Sequence, residues 1–239
     1  MGLATLLLRL AGPMQSWGTQ SRFTVRDAGS EPSKSGVIGL LCAALGRDRA
    51  EAVDDLAALR MGVRVDQEGQ LAMDYHTVGG KHRRGDCYGV YKEEKGKLVT
   101  VTSHRYYLAD ADFLVGLEGE EGLLRLVEEH LQTPVWPLFL GRKSFVPGVP
   151  VFVPGGLLPG TKLEEALTTG YPWPRLGLNI PAGRRPAVLR FVRETDAGPG
   201  AEPRWDQPLG AAFQHRRFAL RYVRTEPLTL GKQVPIREV

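Results

Sequence analysis

The run Leu3–Leu10, LATLLLRL, and the segment that follows it constrain this chain most. Near-continuous apolar character over so short a length reads as a central strand covered on both faces. The run stops abruptly at Ala11-Gly12-Pro13. Beyond it, Gln15, Ser16, Trp17, Gln20, Ser21, Arg22 and Arg26 lie in a stretch with no usable apolar period, which is expected at the surface. At Pro32-Ser33-Lys34-Ser35-Gly36 a hydroxyl residue precedes the apolar run Val37–Leu45, as an N-cap would. The free N–H groups at that helix start attract anions, so strand end, polar loop and helix start are expected to form one anion-binding corner.

Downstream, Arg49–Arg60 has apolar residues at helical spacing and predicts a second, partly exposed helix. Met61–Asp66 and Gln70–His76 alternate around Gln67-Glu68-Gly69, a hairpin pattern. From Thr77 to Thr100 glycine and charge dominate, and across Val78–Lys97 six Lys or Arg oppose three acids. So long a segment between strands is functional or disordered. The spacing of Tyr88, Val90 and Tyr91 favours a protruding basic hairpin. Val101–Leu108 and Phe113–Leu117 read as strand, and Glu120–Leu131 as an amphipathic helix with acids near its start. The order strand, helix, paired strands, helix, strand suits a βαββαβ core, though other α+β arrangements fit the pattern too.

Gln132–Gly160 is rich in proline and glycine and reads as an ordered looped segment. Thr161–Thr169 predicts a short helix; Ala187–Glu194 and Phe213–Arg224 predict strands, separated by a turn-rich stretch around Pro199–Pro208. The last fifteen residues read as a flexible tail. Residues 1–131 are thus expected to hold the core, with the hairpin inserted at about 77–101. Residues 132–239 form a looped, β-rich C-terminal region packed on it.

With 239 residues and 42% apolar content the chain can bury a sizeable core. A net charge of +4 is only mildly basic, so a polyanion site must come from local clustering. Cys42 and Cys87 suggest neither a disulfide framework nor a zinc site, and no cofactor is expected. No targeting leader or membrane span is evident, so a cytoplasmic protein without membrane contact is expected. No Ser-His-Asp order, metal-ligand motif, phosphate loop or dinucleotide fingerprint occurs. The histidines His76, His82, His104, His130 and His215 are scattered.

The blocks GPMQSWG, SRF, PSKSGVIGLLCAALG, YYLADADFLVGL and PLFLGRKSFVP occur in this order across most of the chain. In them the sequence resembles the CasD family. The resemblance implies a subunit of type I-E CRISPR Cascade with a RAMP fold, α+β and ferredoxin-like (RRM-like), that holds the five-prime handle of the CRISPR RNA. The basic hairpin is then a "thumb", followed by additional C-terminal strands. It also implies neighbours in the Cascade backbone subunit and the large subunit, with target DNA engaged only through the complex.

RNA binding needs cations for phosphate, donors that position the backbone and flat surfaces for unpaired bases. Gln15, Ser16, Trp17 and Arg22 offer these in one loop, although a lone tryptophan also serves as packing. Ser33, Lys34 and Ser35 read as phosphate-holding or as capping and solubility. Lys81, His82, Arg83 and Arg84 form the densest basic cluster, on the hairpin, with Arg105 where it rejoins the core. Arg142, Lys143 and Ser144 sit between apolar flanks that fix their position; a structural ion pair is the plain alternative. A non-catalytic RNA-binding subunit is therefore expected. A metal-independent endoribonuclease drawing on Tyr75, His76, Lys81 and His82 is the first alternative, because type I-C relatives of the family cut repeat RNA, and a purely structural assembly module is the second.

Overall fold

The computed structural model describes residues 2–21, 24–79, 92–94, 97–171 and 188–229. Its axis is a long bent strand, β7 (Thr100–Glu120), flanked on one side by β1 (Leu3–Gln15) and on the other by β3 (Arg60–Gln67) and β4 (Gln70–Gly79). β1 does not stop at Gly12-Pro13. Gly12 lies opposite Ala111 and Met14 opposite Ala109, which leaves Pro13 at the kink where Asp110 adopts φ 55°. A proline has no N–H to lose from a ladder, so the break in pairing falls where it does least harm.

Strands β3 and β4 form as expected but do not make a hairpin with each other. β3 pairs with Asp112–Glu118 of β7, then β4 pairs with Thr100–Ala109, so the two follow one another along the same flank. Alternation specifies which residues share a face but not which strand is the neighbour. The Gln67 amide donates to Asp110 O at 2.6 Å, tying the link between β3 and β4 to the bend of β7. On the other flank, past the end of β1, the short β2 (Val25–Arg26) runs parallel to His104–Arg105.

Helices α1 (Lys34–Leu45) and α3 (Glu121–Gln132) cover one sheet face, where Leu6, Leu8 and Leu10 of β1 meet Val37, Ile38, Leu41, Phe113, Leu124 and Val127. Both helices begin where the sequence placed them: Ser33 Oγ accepts from Gly36 N, and the Glu120 carboxylate accepts from Gly122 N and Leu123 N. The expected helix over Arg49–Arg60 shrinks to α2 (Asp54–Ala57). Val53 N donates to Gly210 O, a bond that a helix over Arg49–Arg60 would have given to Arg49 O.

The other face of β1 is covered by α4 (Leu163–Thr168), through Leu7, Leu114, Leu163, Leu167 and Phe191. Apolar groups on both faces of β1 explain its near-continuous apolar run. Next to this cluster Arg64, 1% exposed, is held by Asp66 and by the carbonyls of Leu167 and Tyr171.

Two segments read as irregular contain strands: β8 (Phe152–Pro159), which pairs with β1, and β10 (Glu202–Pro208). Each lies at an end of the order β10-β11-β9-β3-β7-β1-β8, where proline is tolerated. β9 (Val188–Thr195) joins β3, and α5 (Ala212–His215) precedes β11 (Phe218–Thr229), so this last strand starts later than its alternation suggested. The parts before and after residue 131 therefore share one sheet. At the expected hairpin, Gly79 lies opposite Thr100, and β5 (Glu93–Glu94) pairs with β6 (Lys97–Leu98). Its Lys81, His82, Arg83 and Arg84 lie outside the described residues, as do Arg22 and the end of the tail. No helix among the described residues is long and apolar enough to cross a membrane.

Candidate nucleic-acid interface

The expected anion-binding corner exists in space, but the protein fills it with its own anions. The backbone N–H of Lys34 donates to the Asp206 carboxylate at 2.6 Å, and Asp206 also takes two hydrogen bonds from Arg221. The Lys34 ammonium, 2% exposed, reaches Glu194 at 2.9 Å. Burial pulls the Lys34 pKa down and Glu194 opposes that pull. A helix start occupied by an aspartate and a lysine closed by a glutamate have little left for an external phosphate. Ser33 serves as the cap and is buried; Ser35 is half-buried.

The turn before this helix is likewise internal, contrary to its polar composition. The Gln15 amide nitrogen donates to Leu10 O and Ala111 O, and its oxygen accepts from Trp17 Nε1 at 3.0 Å. The indole of Trp17 is 1% exposed and lies against Gly36, where an added Cβ would come within 2.8 Å of the ring. The stacking role expected of Trp17 is therefore corrected: with its faces covered and its N–H satisfied, it is a packing residue. The polar residues around it provide the buried partners such a ring needs, which is why the segment lacked apolar period without being at the surface.

What the turn does is position the block Leu140–Phe145. Ser16 N donates to Leu140 O at 3.1 Å. Gly141 has φ 85°, and a Cβ there would lie 1.8 Å from Ser16 O, so only glycine allows the two backbones to meet. From this anchored loop Arg142 donates to Tyr106 O at 2.8 Å and stands over Phe145 at 5.4 Å, while Phe145 contacts Tyr107. Ser16 Oγ donates to the same carbonyl of Tyr106. Ser16 of the turn and Arg142 thus meet at Tyr106 of β7, whereas Lys34 is turned inward onto Glu194.

Arg26 completes the group. It is exposed, sits beside Arg105 in the β2–β7 register, and lends its carbonyl to Arg142. Arg105 donates to Ser103 Oγ. Partial burial, then the charges of Arg105 and Arg26, lower the Arg142 pKa, with Asp74 and Asp27 opposing. Asp27 is spent locally on Ser21, Thr19 and Gln20. Among the described residues no carboxylate comes within ion-pair distance of Arg26, Arg105 or Arg142. By contrast Arg9, Arg60, Arg64, Arg190, Arg193, Arg204 and Arg221 are each paired with an acid. Lys143 and Ser144 are exposed on the same loop. The sequence places Arg26 in the polar loop without singling it out; its pairing with Arg105 does that.

Of the groups considered for catalysis, His76 contacts Asp74, and Tyr75 packs its ring against His104 at 5.3 Å. Lys81 and His82 lie outside the described residues, and no cluster among the described residues has the makings of a metal site.

A family described as "CRISPR-associated protein (Cas_Cas5)" matches residues 5–224. The chain belongs to the Cas5 family. Among its relatives is the "CRISPR system Cascade subunit CasD" of Escherichia coli (strain K12), 34% identical over 162 residues, which are 62% of this chain and 69% of that protein. Among solved structures, a chain from "Crystal structure of Cas protein" is 46% identical with a TM-score of 0.72, covering 95% of each chain. A chain from "CRISPR RNA-guided surveillance complex" is 32% identical with a TM-score of 0.74, covering 95% of the Cas5-family chain described here and 90% of the other. The Arg26–Arg105–Arg142 face therefore belongs to a Cas5-family chain.

Proposed function

We propose that this Cas5-family chain is a non-catalytic, RNA-binding subunit of a Cascade-type complex that caps the five-prime handle of the CRISPR RNA. The observation that carries this reading is the group Arg26, Arg105 and Arg142: Arg142 is fixed by two carbonyls and Arg105 by a hydroxyl, Arg26 stands exposed beside Arg105, and no carboxylate among the described residues is within ion-pair distance of the three. Arginines held in place without an acid are suited to the bidentate recognition of phosphate. Similarity to a Cascade subunit and to a chain of an RNA-guided surveillance complex supports the setting. The backbone and large subunits are its expected protein partners, and target DNA is reached through them.

The order β3-β7-β1-β8, with α1 and α3 on one face, supports a ferredoxin-like core. The pairing of Gly79 with Thr100 supports a hairpin over 77–101 that presents Lys81, His82, Arg83 and Arg84 as a basic thumb. Lys143 and Ser144 extend the face beside Arg142, whereas Gln15, Ser16, Ser33 and Lys34 support it from within.

The test is binding of single-stranded handle RNA, followed by anisotropy across a salt series. Arg142→Ala should weaken binding and flatten the dependence of log K on log salt by about 0.7 for each phosphate the variant no longer neutralises. An unchanged slope in a folded variant rejects the face. The nuclease alternative has one observation in its favour, the contact of His76 with Asp74. Cleavage of repeat RNA in chelator, abolished by His76→Ala, would replace the capping reading.

A further inference from the structure

A cavity of about 190 Å³, lined by none of the three arginines, opens between Thr19, Gln20 and Gly29–Ser33 on one side and the edge strand β10 on the other. Its wall includes Trp205, Arg204, Glu31, Ser30 and Gln20. Trp205 is 61% exposed, an unusual position for the largest apolar side chain. The strand is built to put it there. Between Arg204 and Gln207 β10 spans one more residue than β11 does between Arg221 and Ala219, a bulge that contains Trp205 and Asp206. Bulges re-aim side chains at functional sites. Here one bulge residue turns inward, Asp206 at 2% exposure, and the other stays open to solvent.

The geometry points to this cavity as a pocket for a single unstacked base of RNA, with the Trp205 indole as its stacking surface. This rests on the RNA-binding reading above and adds a second subsite to it. A base fits the chemistry better than a phosphate. The two carboxylates in the wall are already committed, Glu31 to Arg190 and Arg204 and Asp206 to Arg221 and Lys34 N, so they leave no net cation for an anion. A base also fits better than an aliphatic side chain, because Thr19, Gln20, Ser30, Glu31 and Arg204 add hydroxyl, amide, carboxylate and guanidinium groups to a wall that also holds Pro32 and Pro203, and these polar groups match the edge of a base. The volume admits one ring system, not a stacked pair.

The probe is a set of single-stranded RNA oligonucleotides, each with 2-aminopurine at one position, mixed with the full-length protein and read by fluorescence. One position should be quenched on binding. Trp205→Ala should abolish that quench and weaken affinity about 5- to 150-fold, the range expected for one base on an aromatic ring. Trp205→Phe should keep the quench. Trp205→Leu, which retains apolar bulk without a ring, should lose it with the urea midpoint unchanged. Arg142→Ala separates the two readings. If it weakens binding while every Trp205 variant binds and quenches like the parent, the pocket assignment is overturned and the cationic face stands. If RNA binding ignores both positions, both fall. Variants that keep full RNA binding but lose a protein subunit during assembly overturn the base in favour of a protein contact.

Discussion

Replacing Lys34 with methionine removes a cation from the foot of α1 while keeping an apolar stem of similar length. The ammonium is 2% exposed and the Glu194 carboxylate 18% exposed, so the pair is largely out of water. Breaking a fully buried pair by deleting one partner costs about 3–5 kcal/mol, chiefly because the other charge is left behind. Glu194 keeps a hydrogen bond from Met61 N and some solvent, which places the expected loss near the lower end, about 2–3 kcal/mol. With a urea m-value of about 3 kcal/mol/M, the midpoint should fall by about 0.7–1 M. Lys34→Met with Glu194→Gln should regain much of this, since the orphaned charge is then gone. Handle RNA measured at a denaturant-free, folded condition should bind the single variant with the parent's salt slope, because the ammonium faces inward. An unchanged midpoint together with a reduced salt slope would refute the reasoning and return Lys34 to the RNA surface.

Two further outcomes follow from the same packing. Gly141→Ala forces a side chain onto Ser16 O at a backbone conformation that L residues rarely adopt, so it should lower stability by about 3 kcal/mol or more and weaken RNA binding through displacement of Arg142; chemical denaturation and anisotropy on the same sample check both. Burial raises the Glu31 pKa, but the Ser30 hydroxyl and then Arg190 and Arg204 outweigh this and hold it below the usual glutamate value. Its stabilising contribution is therefore present above about pH 4.5 and lost as pH falls through the lower folded value. Glu31→Gln should be less stable at pH 7 and lose less stability between pH 5 and 3, read from urea midpoints; parallel pH curves for parent and variant reject it.

Much of the local structure was legible because local chemistry carries it. Ser33 announced the start of α1 and Glu120 that of α3, and each does accept the first free N–H groups. The apolar run of β1 signalled two covered faces, and packing by α1 and α3 on one side and α4 on the other supplies them. Where expectation failed, a distant partner or a competing side chain decided. Gly210 O took the Val53 N–H that a helix over Arg49–Arg60 would have given to Arg49 O. Pro203 and Pro208 read as turn residues, yet β10 tolerates them because it is an edge. The polar turn Gln15–Trp17 read as exposed, but its amide and hydroxyl groups satisfy buried backbone carbonyls.

The order of blocks was sufficient by itself to indicate the family, and residue chemistry to mark the first strand, both long helices and Arg142 as points of interest. The three-dimensional arrangement alone determined which cations remain available. A lysine and an arginine look alike along the chain whether they face water or an acid. Lys34 meets Glu194 from 160 positions away and is neutralised, whereas Arg142 hydrogen-bonds carbonyls, stands over an aromatic ring and forms no ion pair among the described residues. Charge is a local property of the polypeptide, but its compensation depends on contacts that only folding creates.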